Sequence, residues 1–320
     1  MSEFFNMPKL SFIVTSYNYA QYVKECIDSI LAQSYKNIEI IVVDDHSHDK
    51  SVEIINNIIN NNKTDVKIKL IAHKRNKGQL ASIFDGILAS SGEFISCVDS
   101  DDKLAPDYAL THIGIHLFNP IALTVCELYE IDEKSTLHSI VSPNLPQELT
   151  GQIIKDIKIK MNHLKNNNVI KILDKKKNFF GGWWWAPTSC GVFRKAAIMP
   201  FLAFDKFDNW RTCPDKLLFN FLHLTGGSIK IYEPLVAYRR HGMNAGGCGV
   251  VLGDTRYNSD DLKKQYLKNQ INIYKDVIKF FHKEKKVLIE KYSKKYYYRM
   301  LNEIYKSIPR LILHKLLKWT

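Results

Sequence analysis

The sequence predicts an α/β fold: a parallel, doubly wound sheet flanked by helices and extended by further helices at its C-terminal end. Three observations carry that expectation. Apolar, β-branched runs alternate with helix-period segments from Lys9 to Val98, the pattern of strand, crossover helix and next parallel strand. Three of those runs end in polar clusters, Thr15 to Asn18, Asp44 to Asp49 and Asp99 to Asp102. From Asp260 to Trp319 the pattern is helical throughout, broken only near Pro309.

Lys9 to Ser16 (KLSFIVTS) is a short apolar run entering a polar turn, and Tyr22 to Gln33 then sets Tyr22, Cys26, Ile27, Ile30 and Leu31 at helical spacing. Ile38 to Val43 (IEIIVV) is a second strand ending in Asp44-Asp45, with Ser47 and Asp49 as capping candidates for a helix through Ile54, Ile55, Ile58 and Ile59. Lys67 to Ala72 is a third strand and Gln79 to Ala89 a helix. Glu93 to Val98 (EFISCV) is a fourth strand, running into Asp99-Ser100-Asp101-Asp102. His112 to Cys126 reads as a helix end, a turn and a buried strand. Ser142 to Phe180, with its prolines, amphipathic Ile153 to Leu164 and Lys/Asn-rich segment, reads as a surface insertion carrying a helix. Pro214 to Leu224 is a helix and Ile229 to Tyr238 a strand. In parallel sheets of this kind ligands sit at the carboxyl ends of the strands, so topology alone brings the three polar clusters together.

With 320 residues, 45% of them hydrophobic, the chain can bury a substantial core in one large domain or two intimate ones. The six cysteines are far apart, form no C-x-x-C pair and sit mostly in apolar stretches, a usage suited to a reducing cytoplasm. The first eleven residues show no basic segment followed by an apolar one, so no secretory signal is expected, and no run is long enough to span a membrane. The net charge of +12 is concentrated at one end: residues 255–320 carry 17 Lys and Arg against 6 Asp and Glu. That basicity belongs to an appendage whose last segment, Ile308 to Trp319, is a short basic amphipathic helix of the kind that lies on anionic membrane surfaces. Packing on the catalytic domain is its other reading. No nucleic-acid motif accompanies the charge, so nucleic acid is not expected as a partner.

Asp99, Asp101 and Asp102 place hard oxygen ligands together at a strand end, a site suited to Mn²⁺ or Mg²⁺ that also holds phosphate oxygens. In this setting the chain resembles the family 2 glycosyltransferases, which have the GT-A fold, a Rossmann-like, mixed but mostly parallel sheet. The resemblance rests on Phe12 to Asn18 (FIVTSYN) as opening strand and turn, and Asn37 to Asp49 (NIEIIVVDDHSHD) as second strand and acidic turn. Arg75-Asn76-Lys77-Gly78 matches its Asn-x-Gly step and Val98 to Asp102 (VDSDD) its Asp-x-Asp metal site. It is close from about Pro8 to Ala109 and sparser to about Ala245.

The resemblance implies an inverting, metal-dependent transferase that takes a sugar from a nucleotide-sugar donor, a UDP-sugar by preference. The acceptor is a hydroxyl of a glycan or lipid-linked molecule in surface polysaccharide or glycoconjugate assembly, and the enzyme is cytoplasmic or peripheral at the inner face of the membrane. Residues 1–115 then form the nucleotide-sugar half, 116–254 the acceptor half and 255–320 the basic helical extension. Thr15 and Tyr17 contact the nucleoside, Asp45 with Asp44 beside it accepts a hydrogen bond from the base, and Lys77 approaches the diphosphate. Asp101 ligates the metal and Asp99 stands by the donor ribose or sugar or joins the ligand set. In the segment Tyr238 to Asn244, Arg240 or its neighbour Arg239, together with His241, closes over the diphosphate, His241 being a further candidate metal ligand. Asp215, at the start of its helix, is the general base; Pro214 stands where the family has a second acid. At least one of Trp183, Trp184 and Trp185 faces the acceptor cleft, since successive residues of an extended segment point in opposite directions. The other reading, a non-catalytic nucleotide-sugar- or glycan-binding module on the same fold, calls for loss of the metal-site acids or of the second-half acid, and both are present.

Overall fold

The computed structural model describes residues 7–140, 170–173, 187–205, 211, 214–241 and 274–307. The three tryptophans at 183–185, the amphipathic segment at 153–164, the Gly-rich segment at 242–253 and the terminal segment at 308–319 lie outside them.

The elements follow in the order β1 (Leu10–Ser16), α1 (Val23–Leu31), β2 (Ile38–Asp44), α2 (Ser51–Asn61), β3 (Lys67–Ala72), α3 (Gln79–Ala89) and β4 (Phe94–Asp99). The second half contributes β5 (Lys103–Leu104), α4 (Tyr108–Phe118), β6 (Leu123–Ile131), β7 (Leu137–Ile140), β8 (Ile170–Leu173), β9 (Gly191–Arg194), α5 (Lys195–Ile198), α6 (Asp215–Gly226) and β10 (Ser228–Arg239). A helix at 274–283 (α7), α8 (Lys285–Tyr292) and α9 (Lys294–Ser307) complete the described chain. The strands form one sheet in the order β3-β2-β1-β4-β9-β6-β10-β5, with β7 added to β6 and β8 to β10. β1, β2, β3 and β4 are mutually parallel, as are β6 and β10; β9 runs antiparallel between the two sets. This is the mixed, mostly parallel sheet the sequence implies, and the C-terminal helices are present.

Helices on both faces bury the central strands, and β1, β2 and β4 are accordingly near-continuous apolar runs with buried side chains. β3 lies at the edge and exposes Lys67 and Lys69, which discourages a further strand from pairing there. α1 buries one stripe, Val23, Cys26, Ile27 and Ile30, at the i, i+3, i+4, i+7 spacing of an amphipathic helix, whereas α3 is buried on most of its circumference, Leu80 to Phe84 with Gly86 and Ile87. The register does the positional work: Ser16 pairs with Asp44 and Thr15 with Asp99, so the three polar strand ends lie side by side.

Two local expectations are corrected. Lys50, not Ser47 or Asp49, is the residue at the N-cap of α2, and it makes no side-chain cap. Asp49 instead accepts the Ser51 amide at 2.9 Å and the Ala20 amide at 2.9 Å, while Ser47 donates to Asp44; both tie the loop to the turn after β1. Within the presumed insertion, Ile170–Leu173 pairs antiparallel with β10, so that part of the segment extends the sheet.

The C-terminal helices pack on the domain. Phe280 and Phe281 of α7 enter an aromatic cluster with Phe201, Phe204 and Phe221; Phe201 stacks on Phe221 at 4.7 Å between ring centroids and meets Phe280 edge-on at 4.9 Å. Tyr297 and Met300 of α9 are buried, and the Tyr296 hydroxyl donates to the Leu224 carbonyl at the end of α6 at 2.8 Å. Because α7 is continuous with the main core, Phe281→Ala is expected to cost about 3–5 kcal/mol of unfolding free energy within a single cooperative transition in chemical denaturation. A separate, early transition for the C-terminal helices would contradict that continuity.

Candidate functional site

The acidic turn after β4 divides its carboxylates by direction. Asp102 is fully buried and turned into the protein: its Oδ2 accepts the Ser189 hydroxyl at 2.6 Å and its Oδ1 the Arg239 amide at 3.0 Å. Ser189 also accepts the Asp99 amide at 3.0 Å, so one hydroxyl joins both ends of the turn. Asp99 points the other way, accepting Gln79 Nε2 at 2.6 Å and Thr15 Oγ1 at 3.2 Å on Oδ1. Burial first, and then the charges of Asp101 and Asp215, push its carboxyl up to about 8. Asp101 presents Oδ2 to His241 Nε2 at 3.0 Å.

His241 is held by more than that bond. Its ring lies 5.3 Å edge-on from Tyr19 and 5.0 Å from Tyr22, leaving 1% of the side chain exposed. The hydroxyl of Tyr19 is raised far above its ordinary range by burial and then by Asp101, Asp99 and Asp102, which places the phenol in the field of the acidic turn. The two arginines of the segment separate cleanly. Arg239 is completely buried: its guanidinium donates to the carbonyls of Asp101 at 2.8 Å, Asp132 at 3.1 Å and Glu133 at 3.2 Å, to Ser135 Oγ at 3.0 Å and to Glu25 Oε2 at 3.0 Å, and it stacks over Tyr22 at 4.6 Å. Arg240 donates to Glu130.

At the ends of β1 and β2, Thr15 is half-buried against Asp99 and Tyr17 is 43% exposed, an aromatic face open to a ligand. Asp44 is occupied locally, accepting the Ser47 amide at 2.8 Å and hydroxyl at 2.5 Å. Asp45 reaches across to the turn before α3, accepting the Lys77 and Gly78 amides, both at 2.7 Å. Gly78 has φ +90°, and a Cβ there would stand 2.9 Å from the Arg211 backbone, so no other residue fits that crossing. Lys77 pairs its ammonium with Asp85 at 2.8 Å.

Asp215 opens α6 behind Pro214 and is 7% exposed; its charge helps to raise the Asp99 carboxyl, so it lies within electrostatic reach of the acidic turn. Thr15, Asp99, Asp101 and His241 are thus joined by hydrogen bonds at the acidic turn, with Asp215 within electrostatic reach, while Asp45 and Lys77 meet at the turn before α3. Trp183, Trp184 and Trp185 lie outside the described residues. Sequence reasoning missed Ser189, Gln79, Tyr19, Glu25 and His73. Each is a single polar or aromatic residue whose importance comes from a contact distant in the chain, and no local pattern marks it. Among the described residues, no three His, Cys, Asp or Glu side chains converge as a ready-made metal cage, and no helix is long and apolar enough to cross a membrane.

A family model described as glycosyl transferase family 2 matches residues 11–176. An uncharacterized glycosyltransferase of Haemophilus influenzae is 41% identical over 119 residues, covering 37% of this chain and 46% of that protein. The uncharacterized glycosyltransferase alr2836 of Nostoc sp. is 28% identical over 239 residues, covering 74% of this chain and 66% of its own. The matches thus span less than two-thirds of these relatives' length. Among solved structures, residues 1–349 of TarS from S. aureus share the fold with a TM-score of 0.55 at 14% identity, over 98% of this chain and 92% of that one. The same protein in complex with UDP-GlcNAc gives 0.51 at 13% identity, over 95% and 82%.

The geometry makes the Arg239 fork the underside of the acidic turn. Arg239→Lys keeps the charge and loses the fork, and is expected to lower stability by about 1–3 kcal/mol in urea unfolding. An unchanged midpoint would show that the carbonyls of residues 101, 132 and 133 do not need the guanidinium.

Proposed function

The chain belongs to glycosyl transferase family 2, and we propose that it is an inverting glycosyltransferase using a UDP-sugar donor. Its acceptor is a hydroxyl of a glycan or lipid-linked molecule in surface polysaccharide or glycoconjugate assembly. The observation that carries this reading is the acidic turn of Asp99 and Asp101 after β4, joined to His241 after β10, with Asp215 at the start of α6 within electrostatic reach. Support for uridine comes from the fold neighbour solved with UDP-GlcNAc and from the exposed Tyr17 beside the Asp45 turn. On this reading residues 1–115 hold the nucleotide sugar, 116–254 the acceptor and 255–320 form a basic extension. Lys285, Lys286, Lys291, Lys294, Lys295 and Arg299 are exposed there, which supports peripheral attachment to an anionic cytoplasmic face.

On this reading Asp101 and Asp99 offer carboxylate oxygens to a divalent cation, and His241, whose Nε2 lies 3.0 Å from Asp101 Oδ2, offers an imidazole nitrogen; the three are not a ready-made cage, and Mn²⁺ or Mg²⁺ would take its remaining ligands from water and phosphate. When bound, such an ion supplies Lewis-acid stabilisation of the departing diphosphate. The chain's own residues do the rest. Tyr17 lies against the base and Asp45 accepts its N–H. His241, with Arg240 near it, closes the diphosphate side. Asp215 takes the proton from the acceptor hydroxyl as its oxygen attacks the anomeric carbon from the face opposite the leaving group, which inverts the centre.

Two outcomes are expected from nucleoside diphosphate release measured over a panel of nucleotide sugars. Release is specific to one UDP-sugar, depends on Mn²⁺ or Mg²⁺, and is lost with EDTA or in Asp101→Ala; release unaffected by EDTA removes the metal from the reading. With acceptor present, Asp215→Asn lowers kcat by about 10²–10⁴-fold while the donor KM holds. A donor KM that rises with kcat unchanged would make Asp215 a binding group.

A further inference from the structure

His73 follows the last residue of β3 and belongs to none of the motifs above. Its amide donates to the Asp44 carbonyl at 2.9 Å, adding one rung to the β2–β3 ladder, and its imidazole is turned inward with 3% of the side chain exposed. Nδ1 lies 2.8 Å from Asp45 Oδ1, and Nε2 lies 2.9 Å from Asp85 Oδ2. A neutral imidazole carries one N–H and one bare lone pair. In either tautomer one nitrogen would aim that lone pair at a carboxylate oxygen. Only the doubly protonated ring donates to both carboxylates, and in every protonation state the ring stands between them as a bridge.

The consequence falls on Asp45. Its carboxylate offers about four lone-pair sites, and three are taken: the Lys77 amide and His73 on Oδ1, the Gly78 amide on Oδ2. The group cannot rotate, and one acceptor direction is left. Asp85, on α3, accepts Lys77 Nζ at 2.8 Å as well as the imidazole, so the same chain of contacts sets where that ammonium lies. Backbone amides alone would hold Asp45 from one side; the imidazole of His73 closes the other.

We infer that His73 is a positioning residue for nucleoside recognition, aiming the last free acceptor site of Asp45 at the imide N–H of uracil and, through Asp85, fixing Lys77. The inference rests on the UDP-donor reading. It differs from a merely structural role in one respect. Loss of His73 should damage discrimination between bases, because adenine has no ring N–H and guanine carries its N1–H farther from the ribose than uracil carries its imide N–H, whereas a fold defect would weaken all nucleotides alike.

The test is calorimetric titration of UDP, GDP and ADP, with Mn²⁺ present, into the full chain and into His73→Gln and Asp85→Asn. Wild type is expected to prefer UDP. His73→Gln should weaken UDP by about tenfold, the worth of one charge-assisted hydrogen bond, with GDP and ADP changed little, so that the preference collapses; Asp85→Asn should act in the same direction and more weakly. A folded His73→Gln that keeps the wild-type ratio, or loses all three nucleotides equally, overturns the inference and leaves the donor reading standing. Failure of wild type to bind UDP at all overturns the donor reading, and the inference with it. If His73→Gln does not fold, Asp85→Asn decides by the same ratio.

Discussion

The crowding of three carboxylates into four residues, Asp101 and Asp102 buried and Asp99 partly so, is the constraint on which the rest of this structure depends. Asp99, Asp101 and Asp102 sit at the end of an apolar strand, where uncompensated charge is costly. The chain meets that cost by unequal treatment. Asp102 is given two internal donors and faces inward; Asp99 is given Thr15 and Gln79; the backbone carbonyl of Asp101 rests on the Arg239 guanidinium. Asp101 Oδ2 meets His241. The acidic turn is therefore a braced structure, and its brace is a fully buried cation from a strand that arrives more than a hundred residues later.

Much of the first half was legible because its physics is local. β1, β2 and β4 are buried on both faces and read as continuous apolar runs; α1 carries one apolar stripe; parallel pairing then leaves no choice about which ends meet. The register of Thr15 with Asp99 and Ser16 with Asp44 follows from strands of similar length beginning at similar depth. β8 and β9 were not legible in the same way. Each is four residues long, too short for a period to show, and each is a strand because of the partner it meets. The packing of α7 and α9 was likewise hidden: the sequence shows an amphipathic, basic, aromatic-rich stretch, and only the tertiary contacts of Phe280, Phe281 and Tyr297 reveal that its apolar face is spent on the core.

The site divides along the same line. Residues in strand-end clusters, Thr15, Asp45, Asp99 and Asp101, announce themselves because acidic and hydroxyl groups are conspicuous after apolar runs. Asp44 stands in the same cluster yet is occupied by Ser47 alone, a distinction that needs the backbone turn to be seen. Arg239 and Arg240 are adjacent and chemically alike; alternation along β10 sends one beneath the acidic turn and the other to Glu130, and the sequence carries no sign of which is which. His73 and Ser189 are isolated polar residues, ordinary in a sequence and decisive only when both of their partners are known.

This division bears on how the fold can carry function. The stretch in which the resemblance to other glycosyltransferases is densest is also the stretch that supplies the acidic turn, and it is tempting to treat it as the functional unit. The contacts argue otherwise. Ser189 comes from the turn before β9, Arg239 and His241 from the end of β10, and Asp215 from the start of α6, and without them Asp102 loses both of its internal donors and Asp101 its imidazole partner. A first half folded alone would present three carboxylates at one strand end with no cation beneath them, and their mutual repulsion would favour protonation or unfolding of the turn over ligand binding. The irregular second half is therefore a condition for the acidic site. Changes in β9, β10 or the residues between them must leave the brace intact, and that requirement limits which of their side chains are free to vary.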